Sequence, residues 1–232
     1  MLKIYNSLTN KMEDFNPIDE KNIKIYSCGL TVYDKAHLGH ARTTIIVDIL
    51  VRLLKYLYKN VTYVRNITDV DDKINIRAKQ REITIQELTK EIIGYCNDDM
   101  KYLNNLTPTI EPKVTENIPE IIATIERLIN NGFAYVAEGN VLFDVNKYKD
   151  YGKLSNRNIE ELKKEARIEA GAYKKNALDF VLWKPSLAID DESSKFESPW
   201  GTGRPGWHIE CSALSHKYLG ENFDIHCGGM DL

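Results

Sequence analysis

Between residues 23 and 67 the sequence passes from a strand pattern through a long helix pattern into a second strand pattern. This order restricts the possible folds more than any other feature. Residues 23–28 form a short strand pattern, and residues 61–67 are rich in β-branched and aromatic side chains. The broad apolar stripe predicted for the intervening helix, residues 41–57, contains Ala41, Ile45, Ile46, Ile49, Leu50, Leu53, Leu54 and Leu57. A strand–helix–strand unit of this length predicts an α/β fold with a parallel sheet and a right-handed crossover.

The rest of the chain adds helices and a hairpin. We expect helices over residues 84–103, 119–131, 158–167 and 207–219, a hairpin at Glu138-Gly139, and a strand over 222–226 that rejoins the parallel sheet. The middle region lacks the strand–helix–strand rhythm. We therefore predict three segments: residues 1–95 as the first half of the α/β domain, 96–185 as an insertion, and 186–232 as the second half of that domain.

Composition narrows the class of protein. The chain has 232 residues and a net charge of −3, which argues against a generally basic nucleic-acid-binding surface. It has no apolar run near the roughly 20 residues of a membrane helix and no signal-peptide pattern, so we expect no membrane association and a cytoplasmic location. In a reducing compartment its four cysteines are more typical of metal ligands or buried thiols than of disulfides.

The sequence His37-Leu38-Gly39-His40 lies between the first predicted strand and the long helix. Free backbone N–H groups and the helix dipole favour an anion at such a place. Two imidazoles can donate hydrogen bonds to phosphoryl oxygens as charge develops, and the glycine allows a base or ribose to approach. These residues therefore indicate a nucleotide phosphate site, although two ordinary surface histidines at a helix start remain an alternative.

Two cysteines, Cys28 and Cys211, are separate candidate site residues. Cys28 ends the first strand, where ligands sit in parallel sheets, and Cys211 follows His208 by three residues, so both lie on one face of a helix. This spacing suits a metal pair, but structural zinc usually has four ligands, and buried structural thiols remain the alternative.

Two further polar segments follow predicted strands. The acidic residues Asp69, Asp71 and Asp72 have the chemistry to bind magnesium or to cap the next helix. His226 and Asp231 flank a pair of glycines at the end of the last strand, which indicates either a bound ligand or a turn with a capping aspartate.

Four stretches together resemble the cysteinyl-tRNA synthetases, in the same order: residues 28–34, 37–42, 66–73 and 198–212. The resemblance covers essentially the whole chain. It implies a Rossmann-type parallel sheet of the HUP-like class I synthetase kind, interrupted by a mainly helical insertion.

The resemblance also implies roles for individual residues. Cys28 and Cys211 match two of four zinc ligands, and His37 and His40 match the catalytic histidine signature that stabilises the ATP phosphates. Matching positions for ATP binding are Leu38, Gly39, His40, His226 and Gly228. Matching positions for substrate binding are Gly29, Thr68, Trp207 and Asp231, the last facing the substrate ammonium group.

The implied ligands are ATP with Mg²⁺, L-cysteine, tRNA(Cys) and one Zn²⁺ per full-length chain, with the enzyme acting as a monomer. A further histidine and glutamate ligand, a second phosphate-binding loop and an anticodon-binding domain would lie beyond Leu232. The chain would then be a truncated form, and we expect it to show little or no activity alone.

Three other functions share parts of this pattern. A related ligase activates cysteine identically but passes it to an amino sugar. A non-catalytic zinc- or nucleotide-binding module would show no cysteine-dependent chemistry. A nucleotidyltransferase has the histidine signature but no use for Cys28 and Cys211 together.

Overall fold

The structure is a computed structural model of the chain, and it describes residues 2–155, 173–187 and 190–229. The helices in these residues are α1 (Leu38–Leu57), α2 (Asp72–Arg81), α3 (Ile85–Tyr102), α4 (Ile118–Asn130) and α5 (Ile209–Leu219). The strands are β1 (Lys3–Asn6), β2 (Lys11–Asp14), β3 (Ile23–Ser27), β4 (Val61–Arg65), β5 (Ala134–Ala137), β6 (Asn140–Phe143), β7 (Phe180–Pro185), β8 (Gly203–Pro205) and β9 (Ile225–Cys227). The helix predicted over residues 158–167 lies outside the described residues.

The predicted strand–helix–strand unit is present and forms a parallel sheet. The sheet has the order β4-β3-β9, and β3 pairs in parallel with both neighbours. The chain thus leaves β3 for β4 on one side, while β9 returns on the other side. In sheets of this kind, ligands bind beyond the carboxyl ends of the strands at the point where the strand order reverses. A ligand-binding site is therefore expected at the residues that follow β3 and β9.

Helix α1 begins at Leu38, three residues before the predicted start, ends at Leu57 as predicted, and buries only part of the predicted face. Its buried residues are Thr44, Val47, Asp48, Val51 and Leu54. Of the predicted apolar stripe, Leu54 is buried and Leu50 packs against the core, but Ile46, Ile49, Leu53 and Leu57 are exposed, so the prediction was wrong for these four residues. The helix is apolar on most sides, so periodicity could not select the buried face. Asp48 tolerates burial because it accepts hydrogen bonds from the backbone N–H of Leu106 and from Arg52.

A second, antiparallel sheet has the order β5-β6-β7-β8. Its first hairpin turns at Glu138 and Gly139, which both have positive φ as the tightest hairpin turns require. The structure therefore confirms the predicted hairpin. The expectation of a mainly helical insertion did not include this sheet, and its fourth strand, β8, lies outside the predicted insertion, in the segment 186–232.

One apolar core joins the two sheets. It contains Tyr26 and Val64 of the parallel sheet, Ile121 of α4, Trp183 of β7 and Leu214 of α5, all buried. The inserted residues thus share their core with the residues around them. The boundaries at 95 and 185 stay a prediction. Among the described residues, no helix is both long and apolar enough to cross a membrane.

Candidate active site beside the parallel sheet

Cys28, His208 and Cys211 converge at the carboxyl end of β3. Their ligand atoms all lie within 4.8 Å of one another. Cys28 directly follows β3, and Cys211 lies in the first turn of α5. His208 is the residue before α5 and adopts a left-handed backbone conformation, with φ of 69°. The structure thus brings together the two cysteines that the sequence suggested for one site.

The two sulfur atoms have different proton affinities. A hydrogen bond from Cys211 lowers the pKa of Cys28 below the usual thiol value despite burial, and His208 and His226 lower it further. The same contact and burial raise the pKa of Cys211. The two opposite shifts favour the thiolate form at Cys28 and the neutral thiol at Cys211. A thiolate is the form that binds metals.

These three donors suit zinc. Thiolate sulfur and imidazole nitrogen are the donors most typical of tetrahedral zinc sites in proteins. Both ring nitrogens of His208 are buried, and neither has a hydrogen-bond partner among the described residues. A buried imidazole without a partner fits a group that is completed by a metal.

Asn66 holds the surrounding backbone in place. Its Oδ1 accepts hydrogen bonds from the hydroxyl of Tyr26 at 3.0 Å and from the backbone N–H of Gly29 at 2.9 Å. It also lies 3.7 Å from the Cys211 sulfur, and its Nδ2 donates to Thr68 at 3.0 Å. Sequence reasoning missed Asn66 as a site residue. The available signal was an amide directly after β4, at the same sheet edge as Cys28.

The predicted substrate-binding residues are partly assembled here. Gly29 and Thr68 both bond to Asn66. Trp207 is exposed, and its ring stacks on that of His208 with centroids 5.0 Å apart. Asp231 lies outside the described residues, so its predicted contact with the ammonium group stays a prediction.

His226 in β9 faces the sulfur cluster, which consists of Cys28 and Cys211. Its Nε2 lies 3.7 Å from the Cys28 sulfur, and its ring packs against Tyr26 and Phe223. Gly228, the other predicted ATP-binding residue on this strand, follows in the chain. The ATP-binding roles of these two residues stay predictions.

His37 and His40 cap the helix that they begin. Nδ1 of His37 accepts from the backbone N–H of Gly39 at 3.1 Å, and Nδ1 of His40 accepts from the backbone N–H of His37 at 3.3 Å. The rings stack with centroids 3.8 Å apart. Leu38 is almost fully exposed. A side chain at Gly39 would approach the His37 ring to 2.9 Å, so glycine here makes room for the imidazole.

These caps determine which ring nitrogen carries the proton. A neutral imidazole has one acceptor and one donor nitrogen, so accepting at Nδ1 leaves the proton on Nε2. Burial and the neighbouring His37 lower the pKa of His40, which favours its neutral form. Both rings therefore offer an Nε2–H donor at the start of α1. No hydrogen bond among the described residues links them to the sulfur cluster.

The three aspartates after β4 have separate partners. Asp69 accepts from the backbone and hydroxyl of Thr115, and Asp71 caps α2 by accepting from the backbone of Lys73. Asp72 pairs with Arg204 and Lys184. The capping interpretation is confirmed for Asp71. Among the described residues, these three carboxylates do not form a group close enough to hold one metal ion, so the magnesium cluster that the sequence allowed is not present.

Arg204 ties α2 to the antiparallel sheet. It is buried, and its guanidinium donates to Asp72 at 2.7 Å and to Asp190 at 2.6 Å. Burial alone would raise the pKa of Asp72, but Lys184 and Arg204 hold it below its usual value. This cluster fixes the residues after β4 against β7 and β8.

Glu210 is a second site residue that the sequence analysis missed. It is buried in the first turn of α5, and burial raises its pKa to about 7. One of its carboxylate oxygens has no partner among the described residues. Apolar residues at the third and fourth positions after it, Ala213 and Leu214, were the available signal.

Comparisons with known proteins agree with this geometry. A family model described as "tRNA synthetases class I (C) catalytic domain" matches residues 14–232. The chain is 54% identical over 233 residues to the cysteine–tRNA ligase of Beijerinckia indica and 55% identical over 234 residues to that of Ruegeria sp.. Each match covers all of this chain and 50% of the relative. The chain thus spans about half the length of the curated relatives it matches.

A solved structure has the same fold. The Mycobacterium tuberculosis methionyl-tRNA synthetase in complex with methionyl-adenylate superposes with a TM-score of 0.59, covering 91% of this chain and 52% of that protein. The two sequences are only 12% identical, so this likeness concerns the fold alone.

Proposed function

Because this chain belongs to the class I tRNA synthetases of the (C) catalytic-domain family, we propose that the protein is a cysteine–tRNA ligase. It would activate L-cysteine with ATP and then transfer the cysteinyl group to tRNA(Cys). The observation that carries this proposal is the convergence of Cys28, Cys211 and His208 at the carboxyl end of a strand in a parallel sheet. Two cysteines and a histidine at the ligand-binding end of the sheet could hold a metal ion that recognises the thiol of the substrate cysteine.

We propose that Cys28 and Cys211 hold zinc. When bound, zinc supplies a Lewis acid that takes a thiolate as a ligand far more readily than a hydroxyl, which separates cysteine from serine. The chain's own part is to present the donors. The contact with Cys211 lowers the pKa of Cys28, and Asn66 holds Cys211 and Gly29 in place.

The activation step needs no protein nucleophile. The carboxylate of cysteine attacks the α-phosphorus of ATP, the bond to the bridging oxygen breaks, and pyrophosphate leaves with its Mg²⁺. Negative charge grows on the phosphoryl oxygens in the transition state, so positioned hydrogen-bond donors accelerate the reaction. The Nε2–H groups of His37 and His40 are such donors, and the caps at Nδ1 fix their orientation.

The second step is acyl transfer. A terminal ribose hydroxyl of tRNA attacks the activated carbonyl, and AMP leaves. The relatives are named as tRNA ligases, which favours tRNA over an amino sugar as the acceptor. A cytoplasmic location, a monomeric state and ATP contacts at Leu38, Gly39, His226 and Gly228 remain predictions of the same proposal.

Cysteine-dependent exchange of labelled pyrophosphate into ATP tests the proposal. The assay compares the 232-residue chain with a chimera that joins it to the part of the Ruegeria ligase that it does not cover. We expect the chimera to exchange with L-cysteine at a rate on the order of 10²-fold or more above that with L-serine. The chain alone should show little exchange.

A matched variant separates recognition from folding. The chimera with Cys28→Ser should keep its fold, as judged by circular dichroism, but lose both zinc and exchange. The intact Ruegeria ligase serves as the positive control. A folded chimera that holds zinc yet shows no cysteine-dependent exchange would contradict the proposal.

A further inference from the structure

Trp207 is a large aromatic side chain that lies exposed beside the candidate active site. Its ring stacks on that of His208 with centroids 5.0 Å apart, and no hydrogen bond among the described residues holds its indole nitrogen. An exposed ring changes rotamer on a fast timescale unless neighbouring groups fix it. The position of Trp207 is therefore set by the backbone that carries it and by the groups that contact its ring.

The backbone before Trp207 packs tightly against β7. The N–H of Gly206 donates to the carbonyl of Leu182 at 2.8 Å, and a Cβ atom at Gly206 would lie 1.9 Å from the carbonyl oxygen of Val181. Gly206 directly follows β8, in which Arg204 is the buried central residue. Because so little slack separates β8 from Trp207, a displacement of Arg204 also displaces the indole.

Arg204 and Lys184 lie directly opposite each other across the β7–β8 pairing. Like charges at directly opposed positions destabilise a sheet. Asp72 lies between these cations: its Oδ1 accepts from Nε of Arg204 at 2.7 Å, and its Oδ2 accepts from the ammonium group of Lys184. Nη1 of Arg204 donates to Asp190 at 2.6 Å. Two carboxylates thus balance two cations, and Asp72 is the carboxylate that bonds to both.

Asp72 is also connected to the Trp207 ring by a second route. It is the first residue of α2, and the next residue is Lys73. The ammonium nitrogen of Lys73 lies 5.7 Å from the centroid of the Trp207 ring and 5.4 Å from that of the Tyr33 ring. A cation within about 6 Å of an aromatic face attracts that face. The ion pair between Asp72 and Arg204 therefore joins the strand before Trp207 to the helix whose lysine contacts the indole.

We propose that Arg204 and Asp72 are positioning residues whose ion pair holds Trp207 in place as a wall of the cysteine pocket. The inference rests on the proposed function and deepens it, because it names the pair that shapes the pocket for a small amino acid. The bonds of this pair run to each other, to Lys184 and to Asp190, so the pair acts through Trp207 and not on the reacting atoms. A wall that is already ordered does not have to be ordered by the substrate.

Fluorine NMR of the 232-residue chain tests the positioning and needs no activity. The chain has three tryptophans, so labelling with 5-fluorotryptophan gives three signals, and Trp207→Phe identifies that of Trp207. The main variant is Asp72→Asn, because Asp72 is partly exposed and asparagine keeps its size. The second is Arg204→Lys, which keeps the charge but loses the planar fork of donors. Arg52→Gln is the matched control, because Arg52 also pairs with a carboxylate at 2.6 Å but lies in α1.

We expect the Trp207 signal of both cluster variants to move toward the chemical shift of free 5-fluorotryptophan, because a released indole averages over many environments. The Trp207 signal of Arg52→Gln should stay at its wild-type position. The signals of the other two tryptophans show whether each variant is folded. If Arg204→Lys does not fold, Asp72→Asn decides the result.

Exchange kinetics of the chimera then show whether the position of Trp207 matters for the substrate. A substrate that must order a freed side chain binds more weakly, so the KM for L-cysteine should rise on the order of 10-fold in Asp72→Asn. The rate constant at saturation and the KM for ATP should change by less than about twofold. A purely structural residue would instead lower the fraction of folded enzyme, which reduces the rate constant and leaves KM unchanged. Arg52→Gln should leave the KM for L-cysteine at its wild-type value.

The outcomes separate this inference from the proposed function. An unchanged Trp207 signal, or an unchanged KM for L-cysteine, in the folded cluster variants overturns the inference and leaves the proposed function intact. If the wild-type chimera shows no cysteine-dependent exchange, the proposed function fails. The fluorine signal alone then decides whether Arg204 and Asp72 hold Trp207.

Discussion

The side-chain oxygen of Asn66 accepts a hydrogen bond from the backbone N–H of Gly29 at 2.9 Å, and this bond joins the ends of the neighbouring parallel strands β3 and β4. The same oxygen accepts the hydroxyl of Tyr26 and lies beside the sulfur of Cys211. Asn66 is buried. If its side chain were removed, these partners would lose their hydrogen bond at a place that water does not readily reach. One amide thus positions both the strand end that carries Cys28 and the helix that carries Cys211.

Replacing Asn66 with alanine should therefore destabilise the fold. Buried donors left without acceptors cost roughly 1–3 kcal/mol each, so we expect Asn66→Ala to lower the free energy of unfolding by about 2–4 kcal/mol. Urea denaturation measures the change. Asn16→Ala removes an exposed asparagine that bonds only to a nearby carbonyl, and it should change stability by less than about 0.5 kcal/mol. Equal effects of the two variants would contradict the role of Asn66.

A side chain at Gly29 should be incompatible with this arrangement. A Cβ atom there would lie 1.5 Å from the carbonyl oxygen of Asn66, which is backbone and cannot move aside alone. We expect Gly29→Ala to destabilise the chain by more than about 3 kcal/mol or to prevent folding, as severe overpacking does.

Gly94 provides the matched control. It lies exposed in α3, and an added Cβ would meet nothing within 4 Å. Alanine is favoured over glycine in a helix interior by up to about 1 kcal/mol, so Gly94→Ala should raise stability slightly. Thermal unfolding of the two variants side by side measures the difference. A well-folded Gly29→Ala with unchanged melting temperature would show that the strand ends can separate.

The sequence sufficed for features that depend on local chemistry. The hairpin at Glu138-Gly139 and the elements of the strand–helix–strand unit follow from local sequence patterns, and both are confirmed. Placing Cys28 and Cys211 at one site required more. It depended on the order of motifs in the family resemblance, since nothing local connects the two cysteines.

What the sequence did not predict depends on tertiary contacts. Helix α1 is apolar on most sides, and the buried face was decided by partners far away, such as the Leu106 backbone that bonds Asp48. The sequence suggested His208 as a candidate ligand, but its left-handed backbone was hidden, because that conformation exists only once α5 packs beside β3. The antiparallel sheet was missed in part because β8 is only three residues long.

The cluster around Arg204 should make stability depend on pH in the acidic range. Lys184 and Arg204 lower the pKa of Asp72 in the folded state. A carboxyl with a lowered folded pKa stabilises the fold above its unfolded pKa of about 3.9, and this contribution is lost as pH falls through the folded value. We therefore expect stability to fall steadily below about pH 4.

Asp72→Asn isolates this contribution. The variant should be less stable at neutral pH, and its free energy of unfolding should decline less steeply below about pH 4 than that of the wild type. Asp14→Asn, which breaks an exposed pair with Lys3, should have little effect at neutral pH. Urea titrations at a series of pH values supply the data. Parallel curves for wild type and Asp72→Asn would show that Asp72 is not responsible.

The two nitrogens of His37 should have separable functions. Its Nδ1 accepts the backbone N–H of Gly39 and caps α1, while its Nε2 is free to donate to a phosphate. Asparagine is a good helix cap but has no group in place of Nε2–H. Alanine lacks both functions. We therefore expect His37→Asn to keep the stability of the wild type and His37→Ala to lose about 1 kcal/mol.

Activity should not follow stability in this pair. Both His37→Asn and His37→Ala lack the donor that would stabilise charge on the phosphoryl oxygens. In the chimera, therefore, both should lower the rate constant of cysteine-dependent exchange to a similar degree, on the order of 10²-fold. Urea denaturation measures the stability and pyrophosphate exchange measures the rate constant. If His37→Asn restored exchange along with stability, the imidazole would serve only to cap the helix, because a cap is the one property that asparagine shares with histidine at this position.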